Sequence, residues 1–597
     1  MNPLPPIFED SRRLVGANLY FDRPAVVLSA LGPLAADDAA HARWAAAVSS
    51  IAAALGWPAP QPQAQLHVQM QGSAQSASAR LAFVAPAALL YTATEVNEWA
   101  WEQAVGEAAA GFVIQHGGLD VAAFCARADD EFSRPLARLK AAAAEHQLPC
   151  FEDDDTLSIG AGSGSVSYPR AALPLPMDVP WSRLHDVPTI LVTGSNGKTT
   201  TARLIAAIAA AGGTTIGLCG TEGIFVGGAR LALGDYAGPA GARVVLRHPA
   251  VDFAVLETAR GGLLRRGLAV RHADVAVVTN ISADHFGEYG MHTLDDIARA
   301  KLIVAHAVAG GSGGGGGGGG VLVLNAGDAT LMRAAARWPH AAQARQALFA
   351  LDFDAVPLRK HRAAGSATCG LRAGELWLSI AGQEHALGAA AAMPMTLGGA
   401  AAFNIENAAA ATLAAASVGL PIDIIRTTLL SFGRAPSDNP GRLERWSHHG
   451  ATVLVDYAHN PDGLAQLLRV ARSLQPARLG LLLGQAGNRD DVAITDLART
   501  AAGFAPDLVV IKELPLMLRG RAAGEVPALI ERALHDAGLD ALKTLQEADE
   551  ETAALRLLDW AEAGDVIVLP VHTAAVRERL AARLAALSTS PPAARLD

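Results

Sequence analysis

Residues 191–201 read LVTGSNGKTTT, an apolar run followed by a glycine-bounded turn and the start of an alanine-rich helix. A strand, a glycine turn and a helix N-terminus in this order form a phosphate-binding site, because backbone N–H groups and the helix dipole attract an anion. Lys198 would reach the outer phosphates, and the Thr199 hydroxyl would ligate magnesium. Val192 stands where the full P-loop pattern has its first glycine, so a plain glycine turn capped by threonines stays open as an alternative.

Short apolar runs recur on the C-terminal side of this turn. With the run that precedes the turn, they cover residues 189–192, 251–256, 275–279 and 321–324, and helical patterns separate them. Continuous apolar runs between helices are typical of parallel strands that are buried on both faces. We therefore predict a doubly wound α/β region, in which ligands bind at the carboxyl ends of the strands.

Polar residues follow two of these runs. Glu257 comes after one of them, where a carboxylate suits magnesium, although alone it fits a surface acid equally well. Asn280 and His285 come after the next run, and His285 suits a second metal ion or its water, although a lone histidine is more often structural. Lys301 lies on the following predicted helix, where most lysines are simply solvated.

The length of 597 residues predicts several domains. Residues 1–175 mix strand-like runs with alanine-rich helices and predict an N-terminal α+β domain. Residues 176–436 contain the glycine turn, and residues 437–590 alternate strands and helices again, which indicates a smaller α/β domain. The proline-rich stretch 173–180 indicates a linker, and the glycine-rich stretch 310–320 indicates a flexible surface loop.

Composition and charge narrow the classes of function. The chain is 51% hydrophobic and 18% charged, which suits a soluble globular protein. Its net charge of -10 provides no basic field for nucleic acid. Four scattered cysteines indicate neither a disulfide framework nor a metal site. We expect a cytoplasmic protein without a membrane span, because the N-terminus lacks a signal-peptide core and the uncharged stretch 386–403 contains proline and glycine.

Six motifs in a fixed order resemble the Mur ligase family, over residues 187–569. The resemblance implies a central P-loop domain with a doubly wound sheet and a smaller, Rossmann-like C-terminal domain. Members of this family use ATP to convert a carboxylate into an acyl phosphate, which an amine then attacks to give an amide. The motifs are TGSNGKTT at 193–200, LETARGG at 256–262, TNISADH at 279–285 followed by Lys301, FNIENAAAA at 403–411, GRLE at 441–444 and DYAHNPDG at 456–463.

Carried over by position, the resemblance implies binding sites for ATP and two magnesium ions. Thr199 and Glu257 would hold one ion, and His285 would help to hold a second. Lys301 matches a lysine that many members carry as a carbamate and that some branches leave unmodified. The triphosphate would be cradled by Gly194, Ser195, Asn196, Gly197, Lys198, Thr199 and Thr200.

The resemblance also assigns residues to the rest of the nucleotide. Arg442 matches an arginine that reaches the γ-phosphate, and Phe403 replaces the usual histidine before the adenine-side motif. Together with Lys198, Glu257, His285 and Lys301, Arg442 would carry the catalysis. The other implied nucleotide contacts are Asn280 near the nucleotide, Asn404 and Asn407 on the adenine side, Asp456 at the ribose, and His459 and Asn460 in the same loop.

Within the family, the chain resembles the Mur-like half of the cyanophycin synthetases, which add arginine to the β-carboxylates of a polyaspartate backbone. The stretches that carry this resemblance are RRLVGAN, ETARGGLLRRGL, VAVVTNISADHFG and IKELPLMLRGRAAGE. Residues 141–164 resemble the entry to the ATP-grasp domain that extends the backbone in those enzymes. The rest of that domain is missing, so this chain is not expected to polymerise aspartate by itself.

The sequence therefore predicts an ATP- and Mg²⁺-dependent ligase that adds an amino acid to a side-chain carboxylate of an Asp-containing polymer or peptide. A peptidoglycan- or folylpolyglutamate-type ligase is one alternative, and a non-catalytic nucleotide-binding partner of a full-length synthetase is another. Such a chain could form a homo-oligomer or associate with that synthetase. Asp490 and Asp491 could attract the cationic group of the amino acid, or form a solvated acidic turn. The KEL at 512–514 replaces an expected KED and weakens the case for arginine.

Overall fold

The computed structural model describes residues 7–71, 74–106, 112–284, 286–309 and 319–589. Within these residues the strands form four sheets, with 4, 3, 11 and 6 strands in chain order. The two largest sheets are mainly parallel, as expected for a mixed α/β protein. The structure thereby confirms the predicted α/β class.

The N-terminal part carries the two small antiparallel sheets. The larger one has the order β1-β2-β4-β3, and Trp44 and Trp101 of two covering helices are buried in its core. Its elements are β1 (Phe8–Leu14), β2 (Ala25–Leu31), α1 (Asp38–Ala54), β3 (Gln63–Gln71), β4 (Ala74–Val84), α2 (Leu90–Val105) and α3 (Val121–Glu131). The second sheet follows, with α4 (Arg134–Glu145), β5 (Cys150–Glu152), β6 (Thr156–Ile159) and β7 (Val166–Pro169).

The central part carries the eleven-stranded sheet. Its first half contains β8 (Thr189–Thr193), α5 (Lys198–Ala211), β9 (Ile216–Gly220), β10 (Gly223–Val226), β11 (Ala229–Ala232), α6 (Pro239–Leu246), β12 (Phe253–Glu257), α7 (Arg260–Arg266), β13 (Val275–Val278) and α8 (Leu294–Lys301). Its second half contains β14 (Val321–Asn325), α9 (Ala329–Arg337), α10 (Pro339–Gln343), β15 (Arg345–Asp352), α11 (Val356–Ala363), β16 (Thr368–Arg372), β17 (Glu375–Ile380), β18 (Gln383–Ala389), α12 (Ala402–Ser417) and α13 (Ile422–Leu429).

Strand β8 lies inside this sheet, whose order is β11-β10-β9-β12-β8-β13-β14-β15-β16-β17-β18. The strands from β9 to β16 in this order are parallel, and an antiparallel hairpin closes each edge. Leu191 points into one core, and Ile190 and Val192 point into the other. The apolar run is therefore buried on both faces, as predicted, and the glycine turn lies at its carboxyl end.

The C-terminal part carries the six-stranded sheet, in the order β19-β20-β24-β21-β22-β23. Only β19 is antiparallel to its neighbour, and the remaining pairs are parallel. The elements are β19 (Glu444–His448), β20 (Ala451–Asp456), α14 (Pro461–Ser473), β21 (Leu479–Leu483), α15 (Asp491–Ala502), β22 (Leu508–Lys512), α16 (Glu525–Asp536), β23 (Thr544–Glu547), α17 (Glu550–Trp560), β24 (Val566–Pro570) and α18 (Ala574–Thr589).

The four runs predicted as strands of the central sheet are confirmed, with small shifts at their ends, and strands alternate with helices in the C-terminal part as predicted. The run at 251–256 forms β12 only from Phe253, because Val251 belongs to a turn and donates to His248 O at 3.0 Å. Most of the glycine-rich stretch and the end of the C-terminal tail lie outside the described residues. No helix in the described part of the chain is both long and apolar enough to span a membrane.

Candidate active site

The glycine turn joins β8 to α5 and requires glycine at two positions. Gly194 has φ 146°, and a Cβ there would lie 1.8 Å from Thr279 Oγ1. Gly197 has φ 82°, and a Cβ there would lie 2.1 Å from Asn407 Oδ1. Gly197 is also the N-cap of α5, and no described side chain caps this helix. The first N–H groups of α5 are therefore available to an anion.

The segment after β13 fixes the shape of the turn. Asn280 accepts a hydrogen bond from the Asn196 N–H with its side-chain oxygen and one from the Ser195 N–H with its carbonyl, both at 2.9 Å. Thr279 Oγ1 donates to Asn196 O at 2.5 Å. Ser195 Oγ accepts from the Ser282 N–H at 2.9 Å. Asn280, which follows the neighbouring strand β13, thus supports the turn. It also lines the cavity described below.

A buried carboxylate lies beside the first turn of α5. Glu257 ends β12 and is 1% exposed. Thr199 Oγ1 donates to one of its oxygens at 3.0 Å, and Thr221 Oγ1 donates to the other at 3.0 Å. A Cβ on Gly220 would lie 2.5 Å from Glu257 Oε2, so glycine leaves room for this carboxylate. Thr221 was not singled out from the sequence. Like Glu257, it lies at the carboxyl end of a strand, because it directly follows β9.

Two lysines with lowered pKa values line the same cavity as this carboxylate. Lys198 Nζ folds back onto the turn and donates to Gly194 O at 3.1 Å and to Ser195 O at 3.0 Å. Lys301 ends α8 and is 5% exposed, and its side chain makes no hydrogen bond or ion pair with any described residue. Burial lowers the pKa of Lys198. Burial, followed by the positive charge of Lys198, lowers the pKa of Lys301 well below its ordinary value.

The C-terminal part contributes an arginine and a carboxylate to the same site. Arg442 Nη2 donates to Thr199 Oγ1 at 3.2 Å, and its guanidinium carbon lies 4.6 Å from the ring centroid of Tyr457. Asp456 accepts two backbone N–H groups at 2.7 and 2.8 Å, which fixes the start of its loop. Burial raises the pKa of Asp456.

Polar contacts join the loops of the two large sheets. Asn460 Nδ2 donates to Asn196 Oδ1 at 2.9 Å, so the turn is held from the C-terminal side as well. Asp284 lies 3.5 Å from His459 and 2.9 Å from Arg489. Hydrogen bonds and ion pairs of this kind can separate into water at low net cost, because the groups regain hydrogen bonds there.

The two asparagines on α12 are anchored within the protein. Asn404 is 2% exposed and donates from Nδ2 to Met395 O at 2.7 Å. Asn407 is 4% exposed, donates to Asn404 Oδ1 at 3.0 Å and accepts from Thr201 Oγ1 at 3.4 Å. They hold the start of α12 against α5. Phe403 lies next to them and lines the cavity.

These residues surround a cavity of about 1130 Å³. Two predicted residues lie behind its wall: Gly194 packs on Thr279, and Asn460 supports Asn196. His285 lies outside the described residues. The predicted residues that line the cavity are Ser195, Asn196, Gly197, Lys198, Thr199, Thr200, Glu257, Asn280, Lys301, Asn404, Asn407, Arg442, Asp456 and His459.

The loop after β21 contributes a cation to the cavity. Arg489 lines it and is 8% exposed. Asp490 instead caps α15 by accepting from the Ala493 N–H at 2.7 Å, and Asp491 pairs with Arg521 at 2.7 Å. Neither acid is among the cavity-lining residues. The geometry thus favours the solvated-turn interpretation of the two acids, and the sequence reasoning missed Arg489.

The cavity extends from the glycine turn to the N-terminal sheets through a second region that the sequence did not reveal. This arginine arm is defined by Arg13, Arg170, Arg243, Arg265 and Arg266, all of which line the cavity. Arg13 stacks on Tyr91 at 3.8 Å. The side chains of Arg243 and Arg266 make no hydrogen bond or ion pair within the described residues. Burial lowers the pKa of Arg243.

Acidic residues also line this end, but most of them are already engaged. Glu131 accepts from the Tyr91 and Thr92 N–H groups at 2.9 and 2.8 Å. Glu152 pairs with Lys140 at 2.6 Å, and Asp153 pairs with Arg247. Asp154 also lines this end, and the charges of Asp153 and Glu152 act on Arg243, but no described acid forms an ion pair with Arg243 or Arg266.

Two protein-family models match the chain. The model for the Mur ligase middle domain matches residues 192–415, and the model for the Mur ligase, glutamate ligase domain matches residues 441–570. The first match contains the glycine turn, Glu257 and Lys301. The second contains Arg442 and the loop that begins at Asp456.

Individual relatives agree with these matches. The chain is 35% identical over 463 residues to the cyanophycin synthetase of Trichormus variabilis, which covers 77% of this chain and 49% of that protein. It is 34% identical to the cyanophycin synthetase of Synechocystis, with 70% and 46% covered. It is 29% identical to the UDP-N-acetylmuramoyl-L-alanyl-D-glutamate--2,6-diaminopimelate ligase of Corynebacterium glutamicum, with 64% and 70% covered. The chain spans about half the length of the cyanophycin synthetases that it matches.

Two solved structures resemble the chain more distantly. E. coli FolC in complex with DHPP and ADP is 22% identical, with a TM-score of 0.49 and coverage of 66% of this chain and 89% of that chain. A bifunctional folylpolyglutamate synthase/dihydrofolate synthase from Yersinia pestis, complexed with AMPPNP and Mn ion, is 20% identical, with a TM-score of 0.47 and coverage of 66% and 88%.

Proposed function

This chain belongs to the Mur ligase family, and from that premise we propose that it is an ATP-dependent carboxylate–amine ligase. ATP would phosphorylate a side-chain carboxylate of an anionic acceptor, and an amino acid would attack the acyl phosphate to form an amide, with release of phosphate. The observation that carries the proposal is that one continuous cavity of about 1130 Å³ joins the glycine turn, the loops of the C-terminal sheet and the arginine arm.

The chain's own residues supply what phosphoryl transfer to a carboxylate requires. Transfer of a phosphoryl group depends mainly on positioning and on positive charge around the γ-phosphate. In the proposed complex, Lys198 would turn from the carbonyls of the glycine turn toward the phosphates, and Arg442 would approach them from the opposite sheet. Asp456 would accept hydrogen bonds from the ribose. Closing the two sheets around ATP would exclude water, which would otherwise hydrolyse the acyl phosphate.

The residues beside the turn fit a divalent cation. The Thr199 and Thr221 hydroxyl oxygens each lie 3.0 Å from a Glu257 carboxylate oxygen and 3.2 Å from one another, and such hard oxygen ligands are those that Mg²⁺ prefers. Gly220 leaves the carboxylate the space to turn toward an ion. We propose that Thr199 and Glu257 hold Mg²⁺ with the nucleotide. The bound ion would offset the negative charge of the phosphates.

Lys301 has the environment of a lysine that reacts with carbon dioxide. Its lowered pKa favours the neutral amine, which is the nucleophilic form, because burial and the charge of Lys198 outweigh the opposing charge of Asp284, with which Lys301 forms no ion pair. We therefore propose that Lys301 carries a carbamate in the active protein. Its new carboxylate would face the positive charge of Lys198, which lies close enough to lower the pKa of Lys301.

Replacing Lys301 by alanine is expected to lower kcat about 100-fold, because a carboxylate that orients the site would be lost. A short carboxylate added to the buffer should restore part of the activity, since it can occupy the space that the side chain leaves. Steady-state kinetics with and without added carboxylate measures both effects. An unchanged kcat in the variant contradicts the carbamate. A lower kcat in the variant also contradicts it if removing bicarbonate from the wild type does not lower kcat as well.

The arginine arm supports an acceptor with several carboxylates. Arg243 and Arg266 lack described partners, so binding an anion would compensate charges that the folded protein leaves exposed to the cavity. An Asp-containing polymer or peptide has the required chemistry, and it would be supplied by another enzyme if this chain has one Mur-type site. The relatives named as cyanophycin synthetases are consistent with that acceptor.

The double variant Arg243→Gln/Arg266→Gln is expected to raise KM for a polyaspartate acceptor about 10-fold while leaving kcat and KM for ATP unchanged, because about 1.4 kcal/mol of binding is lost with such charge-assisted contacts. Arg359→Gln on the exposed face of α11 is the control. Initial rates at varied acceptor concentration give the three constants. An unchanged acceptor KM would remove the arm from substrate binding.

The reaction itself is tested by ADP release in the presence of ATP, Mg²⁺, single amino acids and a panel of acceptors. The panel contains poly-L-aspartate, Asp-containing dipeptides, a uridine-linked peptidoglycan precursor and a folate. Acceptor-dependent ADP release, with a product heavier by one amino-acid residue in mass spectrometry, supports the ligase. Activity with the uridine or folate acceptor alone would instead select the corresponding alternative. The same assay with single amino acids identifies the amine.

A further inference from the structure

A buried ion pair lies beneath the C-terminal loops of the cavity. Lys512 ends β22 and its side chain is fully buried. Its Nζ lies 2.5 Å from Glu550 Oε1 and also donates to Pro570 O. Neither Lys512 nor Glu550 lines the cavity. Taking two charges out of water costs free energy, and their attraction offsets that cost only when their geometry is good. What a charged pair at this position does for the site above it follows from its other contacts.

Glu550 uses both of its carboxylate oxygens. It is the first residue of α17, and beyond Lys512 its Oε1 accepts from the His572 N–H at 2.7 Å. Its Oε2 accepts from the Thr573 N–H at 2.8 Å. The carboxylate therefore fixes the backbone immediately after β24. Burial alone would raise the pKa of Glu550, but the nearby Lys512 ammonium and these hydrogen bonds lower it to about 2.

The segment after β24 in turn contacts the loop that begins at Asp456, the residue proposed to bind the ribose. His572 Nε2 donates to Ala458 O at 3.2 Å, and its ring lies 5.5 Å from the ring of Tyr457. Tyr457 carries the guanidinium of Arg442 at 4.6 Å. His572, Ala458, Tyr457 and Arg442 all line the cavity. The position of Arg442 is thus connected to the ion pair through direct contacts.

Lys512 also supports the loop after β21. A Cβ on Gly484 would lie 2.4 Å from Lys512 Cγ, so the lysine stem packs directly against the start of this loop. Gln485, the next residue, donates to His459 O at 2.8 Å, and Arg489 follows in the same loop. Both Gln485 and Arg489 line the cavity. Lys512 therefore contacts both the end of β24, at Pro570 O, and the start of the loop after β21, at Gly484.

We infer that Lys512 and Glu550 form a positioning pair, which sets the loops after β20, β21 and β24 in register so that Arg442 and Arg489 face one reacting centre. This inference rests on the proposed ligase function. The three loops follow the neighbouring strands β20, β24 and β21. The pair contacts the loops after β24 and β21 directly and reaches the loop after β20 through His572. A merely structural pair would be replaceable by neutral groups of similar size without a change in substrate binding.

The double variant Lys512→Met/Glu550→Gln tests this distinction, because it removes both charges and keeps the side-chain volumes. We expect a thermal midpoint near that of the wild type, a Kd for ATP about 10-fold higher and a kcat about 100-fold lower, as misplaced positioning groups produce. Glu551→Gln is the matched control, since Glu551 is the next residue on α17 and pairs with the exposed Arg579 at 2.6 Å. A folded double variant with wild-type Kd and kcat overturns the inference.

The single variant Glu550→Gln provides a second measurement that needs no turnover. Glu550→Gln leaves Lys512 without its partner and should lower the stability of the whole C-terminal part. Hydrogen exchange should therefore quicken at residues 571–573 and 456–460 more than in the strands of the C-terminal sheet, because the charge that holds the first segment is lost, and should be unchanged in the N-terminal sheet. Wild-type exchange at both segments overturns the inference, even if the double variant fails to fold. Failure of the wild type to bind ATP would count against the proposed function instead, and the exchange result would still decide whether the pair orders the loops.

Discussion

Lys198→Ala is expected to lower kcat at least about 1000-fold, which corresponds to about 4 kcal/mol of transition-state stabilisation. Lys198 starts α5, and its ammonium lies within hydrogen-bond distance of the carbonyls of the glycine turn. From this position the Lys198 side chain can turn toward the outer phosphates of a bound nucleotide. Its pKa is lowered by burial, so the folded protein gains little from its charge without a bound anion.

Thermal unfolding and single-turnover ADP formation measure this prediction together. The variant should keep its thermal midpoint and lose its turnover, and the exposed Lys360→Ala on α11 should keep both. If the chain is a non-catalytic partner of a full-length synthetase, Lys198→Ala will leave partner binding unchanged and the wild type will show no turnover to lose. Equal kcat for Lys198→Ala and the wild type would contradict the proposed phosphate contact.

Glu257→Gln is expected to lower kcat at saturating ATP by about 1000-fold, because a ligand charge for the divalent ion is lost where phosphate charge is greatest. The amide keeps an oxygen that can accept from Thr199 or Thr221, so the fold should be retained. The Mg²⁺ concentration that gives half-maximal activity should also rise.

A magnesium titration of initial rates measures both effects. Glu375→Gln, at an exposed position on β17, is the control and should match the wild type. The cation proposal fails if Glu257→Gln needs no more Mg²⁺ than the wild type. A loss of kcat that is accompanied by a lower thermal midpoint would show only that the buried carboxylate stabilises the fold.

The two parallel sheets were predictable because strands buried on both faces leave continuous apolar runs. The run ILV at 190–192 and the run VLV at 453–455 show this directly, with alternate residues in different cores. The strands at the edges of the central sheet were not predicted. The four residues of β11 include no buried side chain and the seven residues of β18 include one, so neither strand carries an apolar run by which it could be recognised.

The glycine turn and Glu257 were predictable because strand ends and glycine spacing are local features of the sequence. The arginine arm was not, since it joins β1 with helices more than 200 residues away: Arg12 Nη1, for example, donates to Leu264 O at 2.7 Å. The same limit applies to Lys512 and Glu550, which are 38 residues apart in sequence. Motif spacing also says nothing about orientation, and Asn404 uses its amide N–H to hold Met395 O.

Transfer of an oxygen isotope tests most directly whether ATP is used to activate a carboxylate. Poly-L-aspartate labelled with ¹⁸O in its side-chain carboxylates is incubated with the protein, ATP, Mg²⁺ and the amino acid that supports turnover, and the released phosphate is examined by ³¹P NMR. An acyl phosphate predicts one ¹⁸O atom in each phosphate, because the carboxylate oxygen leaves with the phosphoryl group when the amine attacks. Phosphate that carries oxygen only from ATP and water would contradict the account.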